Sequence, residues 1–256
     1  MAIAERHHGA DLAKWLGLVL MVLDHAWHVV PAEWQDVYGY VRVPGRLAYP
    51  IFCCVIAINV MRSTPGDLGS FKRNLVGLLG FEAMSIAALH LNWPGDAELT
   101  VLATLAGGLV IAAAFHHGTA VLRVAAGVVF AIGVWLDYSD LGLDYGAWGL
   151  LLPPVFMAVF KASEKGAADA WMLWIAALMV LLPLANYGLV VTLLVLNGAP
   201  SGYHAWMFWF TFISPIVTLS LVRIELPRMA PVGKWAYIVH PAHYQALGFV
   251  RPLLGG

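Results

Sequence analysis

Charge is what this sequence has least of. Its 256 residues include 14 Lys and Arg and 15 Asp and Glu, so 11% are charged, against about a quarter in an ordinary soluble domain. Apolar residues make up 61%, and the mean hydropathy is +0.78. A soluble domain of this length buries only part of the surface its chain exposes, so this much apolar surface excludes a soluble fold. Neither sign of charge dominates, the formal net charge being −1, which leaves no polybasic surface for nucleic acid. Cysteine is nearly absent: Cys53 and Cys54 are adjacent, poorly placed for a disulfide, and read as small buried hydrophobes. A phosphate-cradling loop, a G-x-S-x-G elbow, a His-Glu-x-x-His zinc site and an arginine ladder are missing as well. What remains is an integral membrane protein.

A membrane-spanning helix needs roughly 17–25 mostly apolar residues. Nine stretches qualify: 12–30, 47–61, 75–91, 99–115, 121–136, 147–160, 170–196, 204–222 and 235–254. The expected architecture is all-α, a single transmembrane bundle of about nine spans covering 1–256. The seventh stretch is too long for one straight crossing, and Pro183, Asn186 and Gly188 within it predict a kink or break. With a cytoplasmic N-terminus, 11 of the 14 basic residues fall inside, leaving Arg42, Arg46 and Arg251 outside. The apolar stretch before Asp24 and His25 is read as a retained first helix rather than a cleaved signal. The segment 31–46 is read as a loop too small to fold alone.

Ionisable residues inside spans are functional candidates by default, because a bilayer penalises each by a few kcal/mol. Asp24 and His25 come first, near the end of the first helix, and an Asp with a His forms a proton-handling unit. Arg46 opens the second span, either as a snorkelling arginine or as a site residue. Glu82 sits about 15 Å into the third span and must be protonated or face a polar cavity. His240 and His243 flank Pro241 in the last span. The i, i+3 pairs His25/His28 and His240/His243 have spacing that a metal or haem iron accepts, yet no cysteine or carboxylate set completes such a site, and no metal is expected.

Four motifs stand out: Leu18-Val19-Leu20-Met21-Val22-Leu23-Asp24-His25, then Gly45-Arg46-Leu47-Ala48-Tyr49-Pro50-Ile51-Phe52, then Ile58-Asn59-Val60-Met61-Arg62, and a last-helix run Tyr237-Ile238-Val239-His240-Pro241-Ala242-His243-Tyr244. Together with Arg73 and Glu82 nine residues apart, they resemble the TraX family of F-pilin acetylation proteins. The resemblance runs from Asp11 to Leu247, although the middle third matches only in hydropathy. One departure is His240, where the family pattern leads to an aromatic residue, usually Tyr.

The resemblance implies a multi-pass acetyltransferase of the bacterial inner membrane that uses acetyl-CoA. Its acceptor would be the N-terminal amine of a conjugative pilin or pilin-like peptide. On that reading His25 is the base, Asp24 orients an imidazole or holds the amine, and Arg46 steadies the oxyanion. Glu82 or His243 is the second proton group. Lys14, Asn59, Arg62, Lys72 and Arg73 would hold the coenzyme at the cytoplasmic rim, with Arg223, Arg228 and Lys234 also available there. Direct transfer and an acetyl-histidine intermediate both stay open. So do a proton-coupled transporter, a haem protein and an acyltransferase acting on a sugar or lipid.

Overall fold

In a computed structural model, residues 8–92, 99–139, 142–198, 202–225, 230–233 and 236–254 are described. Eleven α-helices follow one another: α1 (His8–His25), α2 (Gln35–Arg42), α3 (Ala48–Met61), α4 (Gly69–Asn92), α5 (Val101–His117), α6 (Ala120–Asp137), α7 (Gly146–Leu150), α8 (Leu152–Glu164), α9 (Ala168–Leu196), α10 (Tyr203–Arg223) and α11 (Ala236–Val250). Among the described residues, the only β pairing is one isolated bridge between Leu99 and Leu143. Each of the nine apolar stretches falls on one or two of these helices. Among the described residues, six helical segments are long and apolar enough to cross a membrane, and α5 is a shorter apolar helix.

The centre of the bundle is α3, whose residues are buried on all sides and which packs against α1, α5 and α8. A helix apolar all round belongs inside. Helices α4, α6, α9 and α10 carry the periphery instead. Val76, Leu79, Val124, Val128, Leu173, Trp174, Trp206 and Trp209 are exposed there, a surface that suits lipid and not water. Cys53 and Cys54 are free and buried, as their setting suggested.

Two local features position the site. The segment expected to be a loop, 31–46, is helical almost throughout: a short 3₁₀ turn, then α2, then a 3₁₀ turn over Val43–Leu47 that runs into α3. It does not need to fold alone, because it leans on α1 and α10. The expected break in α9 falls at Gly188, whose φ of 67° and ψ of 174° lie in a region only glycine tolerates.

Side-chain contacts sort the helix ends into two groups. At one end the start of α1 meets the end of α10 through Gly9, and His116 and His117 of α5 bond to Ser63 and Gly66 between α3 and α4. Arg223 of α10 reaches Ser163 of α8 at the same end. The opposite end holds the end of α1, α2 and the start of α3.

Candidate active site

Asp24, on the last turn of α1, is buried and receives two arginines. Arg42 Nε lies 2.6 Å and Arg46 Nη2 3.2 Å from the same oxygen, Oδ1. The two arginines are four residues apart along the helical run, so both reach one carboxylate from one face. Gly45 makes the approach possible: a Cβ there would stand 2.7 Å from the Cβ of Asp24. Arg46 Nη1 also donates to Asn186 Oδ1 at 3.3 Å, just before the α9 break, while its buried Nε has no partner among the described residues. Arg42 lies over the Trp27 ring, 5.3 Å from its centroid. Among the described residues the carboxylate is engaged by these two arginines.

Next to this cluster three imidazoles gather from α1 and α11. His25 Nδ1 lies 2.6 Å from His243 Nε2, with the ring planes 4° apart. His243 Nδ1 lies 3.0 Å from the Val239 carbonyl. A carbonyl only accepts, so His243 Nδ1 carries the proton; its Nε2 then accepts, and His25 Nδ1 donates. This leaves His25 Nε2 as an acceptor, with the Tyr244 hydroxyl 3.5 Å away as its donor.

The third ring follows the same logic. Ser85 Oγ donates to the Phe81 carbonyl at 2.9 Å and lies 2.8 Å from His240 Nδ1. The hydroxyl's single proton is spent on the carbonyl, so His240 Nδ1 is the donor of the pair. His240 Nε2 is then a lone pair too, but unlike that of His25 it is buried and without a partner among the described residues. The His25 and His240 ring centroids are 5.9 Å apart.

Two cavities approach this cluster from opposite ends. One, about 280 Å³, runs from Lys14, Asn59 and Asn74 past Leu18, Met21, Phe52 and Leu105 to His240. The other, about 340 Å³, is lined by Asp24, His25, His28, Arg42, Arg46, Asp144, Tyr145 and Tyr244. A void of about 20 Å³ lies between them, sharing Met21, Phe52 and Val101 with the first and Asp24, His25 and Tyr145 with the second. From Lys14 to His25 along α1 is roughly 16 Å at the helical rise. The first cavity is mostly apolar with amides near its mouth; the second is mostly polar.

Of the expected site residues, Asp24, His25, Arg46 and His243 converge. Glu82 does not join them. Its carboxylate accepts from the Thr100 backbone N–H at 2.8 Å and from the Thr100 hydroxyl, so it anchors the N-terminus of α5, where Thr100 is the N-cap. Of the expected coenzyme residues, Lys14 and Asn59 line the first cavity. Arg62 caps α3, and Lys72 and Arg73 lie exposed on the first turn of α4 near that cavity's end of the bundle. Arg228 and Lys234 lie outside the described residues. Tyr145 and Ser85 were not singled out in the sequence, and Arg42, Tyr244 and Asn186 were noted there without a role in the site. Arg42 had a signal there, its i, i+4 spacing to Arg46; the rest had none.

The family model described as TraX protein matches residues 9–251. Protein TraX of Escherichia coli is 24% identical over 255 residues, covering 93% of this chain and 85% of that protein. No solved structure matches.

Proposed function

The chain belongs to the TraX family, and from that premise we propose that it is a multi-pass acetyltransferase of the bacterial inner membrane, moving acetyl from acetyl-CoA to an amine. The acceptor we propose is the N-terminal amine of a pilin or pilin-like peptide. One observation carries the reading: two cavities, one apolar with Lys14 in its wall and one polar, are lined by neighbouring imidazoles whose Nε2 atoms hold the lone pairs.

All nine helical stretches cross the bilayer in this proposal, with the Lys14 end cytoplasmic. Arg62, Lys72, Arg73, Arg123, Lys161, Lys165 and Arg223 gather at that end, whereas at the other Arg42 and Arg46 share the carboxylate of Asp24. Acetyl-CoA is a cytosolic anion, and this basic rim suits its phosphates. The slender apolar cavity beyond suits its pantetheine arm, with the Asn59 and Asn74 amides placed to pair with the arm's own amides.

The acceptor enters the polar cavity as a neutral amine. His25 Nε2 takes its proton as the amine attacks, and the proton relay His25–His243–Val239 holds the ring in the required tautomer. The unpaired Arg46 Nε is the donor for the oxyanion of the tetrahedral intermediate. Asp24 fixes Arg42 and Arg46 in place, so it acts as a positioning residue.

Reconstituted protein given labelled acetyl-CoA and a pilin-like N-terminal peptide tests this. The peptide is expected to be labelled at its α-amine, and His25→Ala to reduce labelling at least 100-fold, the range of a lost general base. Undiminished labelling in both His25→Ala and Asp24→Asn refutes the site. Solute flux into proteoliposomes without thioester consumption points to a proton-coupled transporter instead.

A further inference from the structure

The mechanism above leaves one reactive group unused. His240 Nε2 is buried, has no partner among the described residues, and belongs to a ring that lines the Lys14 cavity. A buried polar atom without a partner costs free energy, and its tautomer is not accidental: Ser85 fixes the proton on Nδ1. His25 shows the same tautomer beside the other cavity, Nδ1 as donor and Nε2 as acceptor, there facing the Tyr244 hydroxyl at 3.5 Å. Each cavity is therefore lined by an imidazole whose Nε2 carries the lone pair, from rings 5.9 Å apart.

We propose that His240 is the nucleophile that receives the acetyl group from the coenzyme side, and that transfer runs through an acetyl-His240 intermediate. This rests on the acetyltransferase reading. His240 Nε2 attacks the thioester carbonyl; an N–C bond forms, the C–S bond breaks, and coenzyme A leaves as the thiolate. The ring becomes an N-acetylimidazolium, keeping its Nδ1 proton on Ser85. The acceptor amine then attacks the same carbonyl from the Asp24 cavity, the N–C bond to His240 breaks, and His240 returns to its neutral form. His25 Nε2 takes the amine proton, which passes to solvent, and the thiolate takes one from solvent. The sum is thioester plus amine giving amide plus thiol.

This assigns the two imidazoles to separate half-reactions and explains why both are held in the same tautomer. An unprotonated imidazole is needed for each, as nucleophile in one and base in the other. Donor and acceptor then never have to occupy one cavity together. Ser85 is a positioning residue, acting through His240.

The test uses the full-length protein in lipid nanodiscs with acetyl-CoA and no acceptor. The wild type is expected to release one equivalent of thiol per protein and to exchange labelled coenzyme A into acetyl-CoA. The acetyl label should remain on the protein, map to His240 by tandem mass spectrometry, and be removed by hydroxylamine. His240→Ala and His240→Tyr should slow the exchange at least 100-fold. Ser85→Ala should slow it about tenfold, with recovery in Ser85→Thr. His25→Ala should lose transfer to the amine yet still release thiol. Peptide acetylation by the wild type without exchange, burst or adduct would overturn the covalent step and leave the acetyltransferase reading standing. Undiminished exchange in His240→Ala overturns it too. Absence of thioester consumption by the wild type, with and without peptide, overturns both. The adduct map on wild-type protein decides the matter even if the His240 variants fail to fold.

Discussion

Gly45 stands against Asp24 so closely that no side chain fits between them. A methyl group added at Gly45 would lie 2.7 Å from the Asp24 Cβ and 3.2 Å from the Leu20 carbonyl oxygen of α1. The glycine of the Gly-Arg pair is therefore there for contact and the arginine for charge: one brings the 3₁₀ turn onto α1, the other meets the carboxylate so reached. Gly45→Ala should lower stability by about 1–3 kcal/mol, the usual cost of overpacking. Thermal unfolding in detergent reads this out, and a melting temperature equal to the wild type's would show that the two segments are free to separate.

Asp24 and its two arginines form one electrostatic unit, so their losses should not add. The side chains are largely buried, Asp24 at 8% exposure and Arg46 at 12%. Asp24→Asn strands two guanidinium groups and is expected to cost about 3–5 kcal/mol, as when one partner of a buried pair is removed. Arg42→Gln leaves Arg46 on the carboxylate and should cost less. The double variant Asp24→Asn/Arg42→Gln should be destabilised by less than the sum of the singles, with a coupling of about 1–3 kcal/mol in a double-mutant cycle. Strict additivity would mean that the Arg42–Asp24 contact is energetically idle.

How much of this was legible in the sequence follows from what kind of signal each residue leaves. Asp24, His25, Arg46 and His243 were visible because polar groups stand out in apolar helices. Arg42 was hidden by the reading of 31–46 as a loop. That reading failed because the segment's short helices are stabilised by packing on α1 and α10 and need no long apolar run of their own. Ser85 opposite His240, and Asn186 beside Arg46, are contacts over more than a hundred residues, and no local pattern encodes them. The break in α9 was legible, since proline and a conformationally free glycine disrupt a helix wherever they fall.

Glu82 lies apart from the imidazoles, bonded to the start of α5. Its depth in the third stretch marked it as a proton group, yet both its oxygens are committed to Thr100, which starts α5. Glu82→Ala leaves a buried N–H and a hydroxyl proton of Thr100 without acceptors and should destabilise the protein by about 1–3 kcal/mol per stranded donor. The kcat of the folded fraction should fall far less than in His25→Ala. Measuring activity against folded protein by size-exclusion profile separates the two effects; a loss equal to that of His25→Ala at unchanged stability would return Glu82 to the chemistry.

The Lys14 cavity makes the last prediction, because its walls distinguish a coenzyme channel from a packing defect. Val55 lines it from α3, opposite Leu105 of α5 and away from the imidazoles' hydrogen bonds. A tryptophan at Val55 has a ready void of about 280 Å³ to enter, so much of the overpacking cost is avoided. If the pantetheine arm lies there, Val55→Trp should raise the KM for acetyl-CoA at least tenfold while the KM for the peptide, which enters through the Asp24 cavity, stays within twofold. Tenfold is about 1.4 kcal/mol, no more than the loss of a few apolar contacts along the arm. The opposite pattern, with the peptide KM raised and that for acetyl-CoA unchanged, would exchange the two cavities' roles and invert the direction of transfer through the bundle.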